Sequence, residues 1–154
     1  NNILIVEEEN KELGFVGNPK EINKTIIEKI VKEKKVPVIA PLGLDKNNQV
    51  FNINADTAAG AIAKKLNARR LIIMSDVEGV LDNNKKLITE INTVKINELI
   101  KNETISGGMI PKIKNCLDVA SNGVKGVCII DGRLDHSILF ELLSNAGSGT
   151  LIRE

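Results

Sequence analysis

Gln49-Val50-Phe51-Asn52-Ile53-Asn54-Ala55-Asp56-Thr57-Ala58-Ala59-Gly60-Ala61-Ile62-Ala63-Lys64-Lys65-Leu66 is the stretch on which the fold turns. Its first five residues alternate polar and apolar, which is a strand pattern. From Asp56 to Leu66 it is Ala-rich and reads as a helix. Asn54 or Asp56 is suited to the N-cap. In open α/β sheets, ligands bind beyond the carboxyl ends of strands. Asn52, Asn54 and Asp56 fall at such an end. There they can hold a polar ligand or orient a cationic side chain; a capped helix with incidental amides explains the same letters.

The alternation extends in both directions. Ile3–Val6 is a short apolar strand, followed by an acidic turn at Glu7–Asn10 and a return strand at Leu13–Gly17. A helix is expected over 21–34, with Ile22, Ile26, Ile27 and Ile30 on one face. Val36–Ala40 reads as a buried strand stopped by Pro41. Arg70–Met74 is a nearly continuous apolar run, typical of a strand covered on both faces. Helices over 91–101, 110–121 and 136–143, a buried strand at Val127–Ile130 and a last strand at Gly149–Ile152 complete the chain. This pattern predicts an α/β protein: one domain over 1–154, a three-layer αβα sandwich with a mostly parallel sheet, and a hairpin near 3–17.

Composition removes several function classes. The 154 residues carry a formal net charge of +1, so no strong field favours nucleic acid or an acidic membrane. There is no Trp or Tyr and only three Phe, which leaves no aromatic platform for stacked bases. Cys116 and Cys128 lack metal-ligand spacing and are read as reduced, partly buried thiols of a cytoplasmic protein. No apolar run reaches membrane-spanning length, and no signal peptide is visible. His136, the single histidine, has no Ser or Cys partner at a recognisable spacing, which argues against a catalytic triad.

Two loops hold groups suited to anions. Ser75-Asp76-Val77-Glu78-Gly79-Val80-Leu81 follows the apolar run at 70–74. A carboxylate there can meet a ribose hydroxyl or a metal ion, or simply cap the strand. Thr104-Ile105-Ser106-Gly107-Gly108-Met109-Ile110-Pro111-Lys112 places paired glycines before a helix. Backbone N–H groups can then approach an anion, and the helix dipole favours it. Lys112 in the first turn opposes that dipole unless a phosphate lies beside it. A flexible connector with a solvated lysine accounts for the same residues. The spacing is not that of a Walker A loop. Lysine, carboxylate, amides and a Gly-rich loop together suit phosphoryl transfer, which depends on positioning and charge neutralisation.

Taken in order, these segments resemble the amino acid kinase family. Within it they are most similar to the branch that phosphorylates N-acetyl-L-glutamate in arginine biosynthesis. The matching text is Leu13–Gly17, Pro37–Pro41, Asn52–Ala61, Ser75–Leu81, Ser106–Lys112, Ile129–Arg133 and the tail to Ile152. The resemblance implies a carbamate-kinase-like fold and transfer of the ATP γ-phosphoryl to the γ-carboxylate of N-acetyl-L-glutamate, with Mg²⁺. It implies that Asn52, with Asn54 beside it, contacts acetylglutamate, and that Asp56 orients catalytic lysines. It implies that Lys112 stabilises the transferring phosphoryl group. Ser75, Asp76, Val77, Glu78, Gly79, Val80 and Leu81, with Thr104, Ile105, Ser106, Gly107 and Gly108, are implied to bind nucleotide. The tail resembles that of arginine-inhibited members, which implies L-arginine contacts for Glu141 and Gly147.

The same resemblance implies a further N-terminal half, with a second catalytic lysine, a Gly-Gly loop, an acetylglutamate-binding arginine and the surface for homo-oligomers. None of these is in this sequence, so the chain is expected to supply the nucleotide-binding half and to be inactive or weakly active alone. A non-catalytic module that holds nucleotide or arginine is the alternative.

Overall fold

The structure, a computed structural model, describes residues 2–153. The backbone divides into two compact units, Asn1–Leu66 and Asn67–Glu154. Both are α/β, as expected, and each builds one four-stranded mixed sheet.

The first unit contains β1 (Leu4–Glu8), a single 3-10 turn at Lys11–Leu13, β2 (Gly17–Ile22), α1 (Lys24–Lys32), β3 (Leu42–Leu44), β4 (Val50–Asn52) and α2 (Ala55–Lys65). Its sheet order is β2-β1-β3-β4. Strands β1 and β2 are antiparallel, β1 and β3 parallel, β3 and β4 antiparallel. The hairpin forms, but its return strand is Gly17–Ile22 rather than Leu13–Gly17. Asn10 caps the 3-10 turn by accepting from the Glu12 N–H, which delays the return.

Helix α1 is shorter than the expected 21–34, because Glu21 and Ile22 are consumed by pairing with Ile5 and Leu4. It buries Ile27, with Ile26 and Ile30 half-buried beside it. Full burial of one such side chain contributes about 1.5–3 kcal/mol. Leu4, Val6, Ile22, Ile27, Phe51, Ile53 and Ala58 form the core of this unit.

The segment at 36–40 is not the buried strand its apolar letters suggest. It joins no sheet, and Val36 and Val38 are 86% and 95% exposed. Pro37 within it and Pro41 after it remove two ladder donors. Only Ile39 packs against the core cluster.

The second unit contains β5 (Leu71–Ser75), β6 (Glu90–Asn92), α3 (Thr93–Lys101), α4 (Met109–Ser121), β7 (Val127–Asp131), α5 (Ser137–Leu143) and β8 (Gly149–Arg153). Its sheet order is β5-β7-β8-β6. Strand β7 is parallel to β5 and antiparallel to β8, and β6 runs parallel to β8. Every residue of β7 is buried, which fits its central place and its unbroken apolar run.

Helices α3 and α4 bury Ile96, Leu99, Ile113, Cys116, Val119 and Ala120. Neither cysteine forms a disulfide, and both are fully buried. Among the described residues, no helix is long and apolar enough to cross a membrane.

Candidate functional site

In the first unit, the strand-to-helix handover forms as expected. Asn54 is the N-cap of α2, and its side-chain oxygen accepts from the Thr57 N–H at 3.1 Å. Asp56 stands in the first helical turn, where a carboxylate meets the favourable end of the dipole. Asn52 ends β4; its backbone N–H donates to Phe15 O at 2.8 Å. Its exposed side-chain amide makes no hydrogen bond among the described residues. Of the two amides, Asn54 is thus engaged in holding the helix start, and Asn52 faces solvent.

In the second unit, parallel strands β5 and β7 end level with one another, Ser75 beside Asp131. The Gly132 N–H donates to Ser75 O at 2.7 Å and ties the two loops at their origin. Ser75 Oγ lies 3.3 Å from Asp76 Oδ1. Asp76 and Glu78 are exposed; Gly79 and Val80 turn inward.

The inward turn has a visible cause. The Val80 N–H donates to Thr150 Oγ1 at 2.8 Å, and the Thr150 hydroxyl donates to Ile88 O at 2.7 Å. Gly79 adopts φ +144°, and a Cβ there would lie 2.5 Å from Thr150 Oγ1. Glycine is therefore required on both conformational and steric grounds.

The turn that follows is closed by Asp82, whose carboxylate accepts from the Asn84 and Lys86 N–H groups at 2.8 Å each. Thr104 Oγ1 lies 2.7 Å from Asn83 Oδ1, which pins the 104–108 loop to this turn. Ile105 is buried and anchors the same loop, and its N–H donates to Leu99 O. Ser106, Gly107 and Gly108 remain exposed.

Helix α4 begins at Met109 behind Gly108, with no side-chain cap and no acid in its first turn. Its opening N–H groups are partly used: Met109 and Ile110 donate to Ser106 O and Gly107 O at 3.3 and 3.2 Å. Pro111 has no N–H to satisfy. Lys112 is half-buried in that first turn. A helix start without a side-chain cap, two exposed glycines and a lysine are groups of the kind that can meet an anion. Among the described residues, no group of three or more His, Cys, Asp or Glu is arranged to hold a metal ion.

Two features of this edge carry no site signal in the sequence. Arg133 grips Asp131 with Nε at 2.9 Å and Nη2 at 2.7 Å, and its N–H adds a third bond at 2.9 Å. Those bonds hold the buried Asp131 carboxyl down at about 2. Asp131 in turn raises Arg133, with Asp76 and Glu78 adding smaller effects. The Asp-Gly-Arg text reads as an ordinary turn, and its link to the 76–78 loop needs the strand register. Thr150 is equally silent, since a threonine in a terminal strand gives no sign of a contact with residue 80.

The tail residues are joined to one another. Glu141 is buried; its carboxylate takes a bond from Arg70 Nη1 at 3.2 Å, from Cys128 Sγ at 3.0 Å and from the Ser148 N–H at 3.0 Å. Gly147 sits beside it at φ +68°, and a Cβ there would fall 2.9 Å from Glu141 Oε2. Burial, followed by the bond to Glu141, pushes the Cys128 thiol up to about 12.

Residues 2–131 match the amino acid kinase family. The chain belongs to that family. It is 73% identical, over all 154 residues, to the acetylglutamate kinase of Pelagibacter ubique, of which it covers 54%. The chain spans about half the length of the curated relatives it matches. Among solved structures, a Neisseria gonorrhoeae N-acetylglutamate synthase superposes over 100% of this chain and 37% of its own, with TM-score 0.91 at 20% identity. A Giardia lamblia carbamate kinase superposes over 98% and 59%, with TM-score 0.68 at 23% identity. These likenesses bear out the carbamate-kinase-like fold expected from the sequence.

Proposed function

We propose that this chain supplies the nucleotide-binding half of an ATP-dependent kinase that phosphorylates the γ-carboxylate of N-acetyl-L-glutamate, a step of arginine biosynthesis. The observation that carries the reading is the 73% identity to an acetylglutamate kinase along the whole chain. The second unit supports it with chemistry suited to a polyphosphate.

In this reading the exposed Gly107-Gly108 backbone and the start of α4 receive phosphate oxygens. Lys112 neutralises charge that moves onto the transferred group and the leaving nucleotide. Thr104, Ile105 and Ser106, with the 75–81 loop, hold the nucleoside. In the first unit, Asn52 offers a solvent-facing amide to acetylglutamate, and Asp56 serves as a positioning carboxylate.

ATP supplies the phosphoryl group when bound, and Mg²⁺ suits a role in which phosphate oxygens and water form most of its shell. L-Arginine is proposed as an inhibitor acting at Glu141 and Gly147, and self-association through further sequence is part of the same proposal. A cytoplasmic location follows from that pathway.

The test is complementation. The chain is co-expressed with the N-terminal half of the Pelagibacter ubique relative, and acyl phosphate is trapped as a hydroxamate. The proposal expects hydroxamate that depends on ATP, on N-acetyl-L-glutamate and on Lys112. Hydroxamate that forms equally with Lys112→Ala, or none from a soluble assembled pair, contradicts it.

A further inference from the structure

The opposite end of the second sheet carries a recess that the kinase reading does not use. It encloses about 270 Å³ and is lined by Arg69, Arg70, Lys125, Gly126, Leu151 and Arg153. Strands β5 and β7 run parallel from this end toward Ser75 and Asp131. Five residues of strand separate it from the nucleotide loops, roughly 15 Å.

Its charge is one-sided. Four of the six lining residues are cations and none is an acid. Arg70 is paired with Glu141 at 3.2 Å and Arg153 with Glu90 at 3.3 Å. Both carboxylates lie outside the lining. Arg69 and Lys125 make no ion pair or side-chain hydrogen bond among the described residues.

Two of the four cations, Arg70 and Arg153, are held by ion pairs, and Arg69 and Lys125 are exposed beside them. The two arginine partners orient their guanidinium groups, and the Leu71 N–H donates to Gly126 O at 3.0 Å, joining the segments that carry Arg70 and Lys125. Like charges held around one concavity repel, and a multivalent anion relieves that repulsion. Guanidinium forks match phosphate oxygens better than a lone ammonium does.

We propose that this recess is a second anion site, binding a small phosphate-class dianion between Arg69, Lys125 and Arg153. Its ligand is distinct from the nucleotide, because the two sites lie at opposite strand ends.

The test is an NMR titration of the isotope-labelled chain with inorganic phosphate above pH 7.5, at constant ionic strength. Saturable shifts of the Gly126, Leu151 and Arg153 amides are expected. Arg69→Ala with Lys125→Ala should weaken them at least about tenfold, and Lys125→Gln alone should weaken them less. The Val80 and Thr150 amides report that the variants are folded. Absence of those shifts, shifts confined to Gly107 and Gly108, or equal affinity in the folded double variant overturns the proposal.

Discussion

The Val80 N–H donates to Thr150 Oγ1 at 2.8 Å, joining a loop after β5 to a strand seventy residues later. The same hydroxyl serves Ile88 O. One side chain thereby satisfies a buried donor and an acceptor, and fixes where the 75–81 loop turns inward. Thr150→Val keeps the shape and removes both bonds. It is expected to cost about 1–3 kcal/mol, because both backbone groups lose their partner. Urea unfolding measures this, and Thr150→Ser should recover most of the loss.

Glu141 is the hub of the tail. Glu141→Ala leaves the Arg70 guanidinium, the Cys128 thiol and the Ser148 N–H without their acceptor. A loss of roughly 3 kcal/mol is expected, in the range for breaking a buried pair on one side. Arg70 is partly exposed and can rehydrate, so Arg70→Ala should cost less. Chemical denaturation of both variants checks the order.

Asp131 sets a pH dependence. Arg133 lowers its folded pKa to about 2, below the unfolded carboxylate value of about 3.9. A depressed folded value means stability that is complete above about pH 4 and lost as pH falls toward 2. Arg133→Ala should flatten this part of the acid limb. Thermal midpoints between pH 2 and pH 5 give the comparison.

Cys128 is expected to be inert in the native protein. Its thiol is buried and pushed up to about 12, so the thiolate is scarce at pH 8. Maleimide labelling should proceed at Cys116 and Cys128 only after unfolding, and mass spectrometry reads the modified sites. Labelling of the folded chain within minutes contradicts the packing described.

Local pattern made much of this legible. The Gln49–Leu66 text led to a strand, an amide cap and a helix, and all three form, with Asn54 as the cap. The apolar runs at 70–74 and 127–130 became the paired parallel strands Leu71–Ser75 and Val127–Asp131. Pattern failed where backbone donors decide. Val36–Ala40 has strand letters, yet Pro37 inside it and Pro41 after it leave it outside any sheet. It also failed where contacts are long-range. The Arg70–Glu141, Val80–Thr150 and Thr104–Asn83 pairs need the strand register before they can be seen. The antiparallel insertion of β8 beside β7 is likewise invisible in the alternation of strand and helix.

Gly149 tests the packing between those two strands. A Cβ at this position would collide with the Ile129 carbonyl oxygen. Gly149→Ala should therefore lower stability by several kcal/mol, on the order of an overpacked core site or worse. Circular dichroism melts are sufficient to read it.

In the proposed function, the second unit holds nucleotide around Gly107, Gly108 and Lys112. Calorimetric titration of the chain with MgATP, beside Lys112→Ala, tests it most directly. Saturable binding that weakens at least about tenfold in the folded variant is the predicted result. Equal affinity in the variant, or no binding by a folded chain, would contradict it.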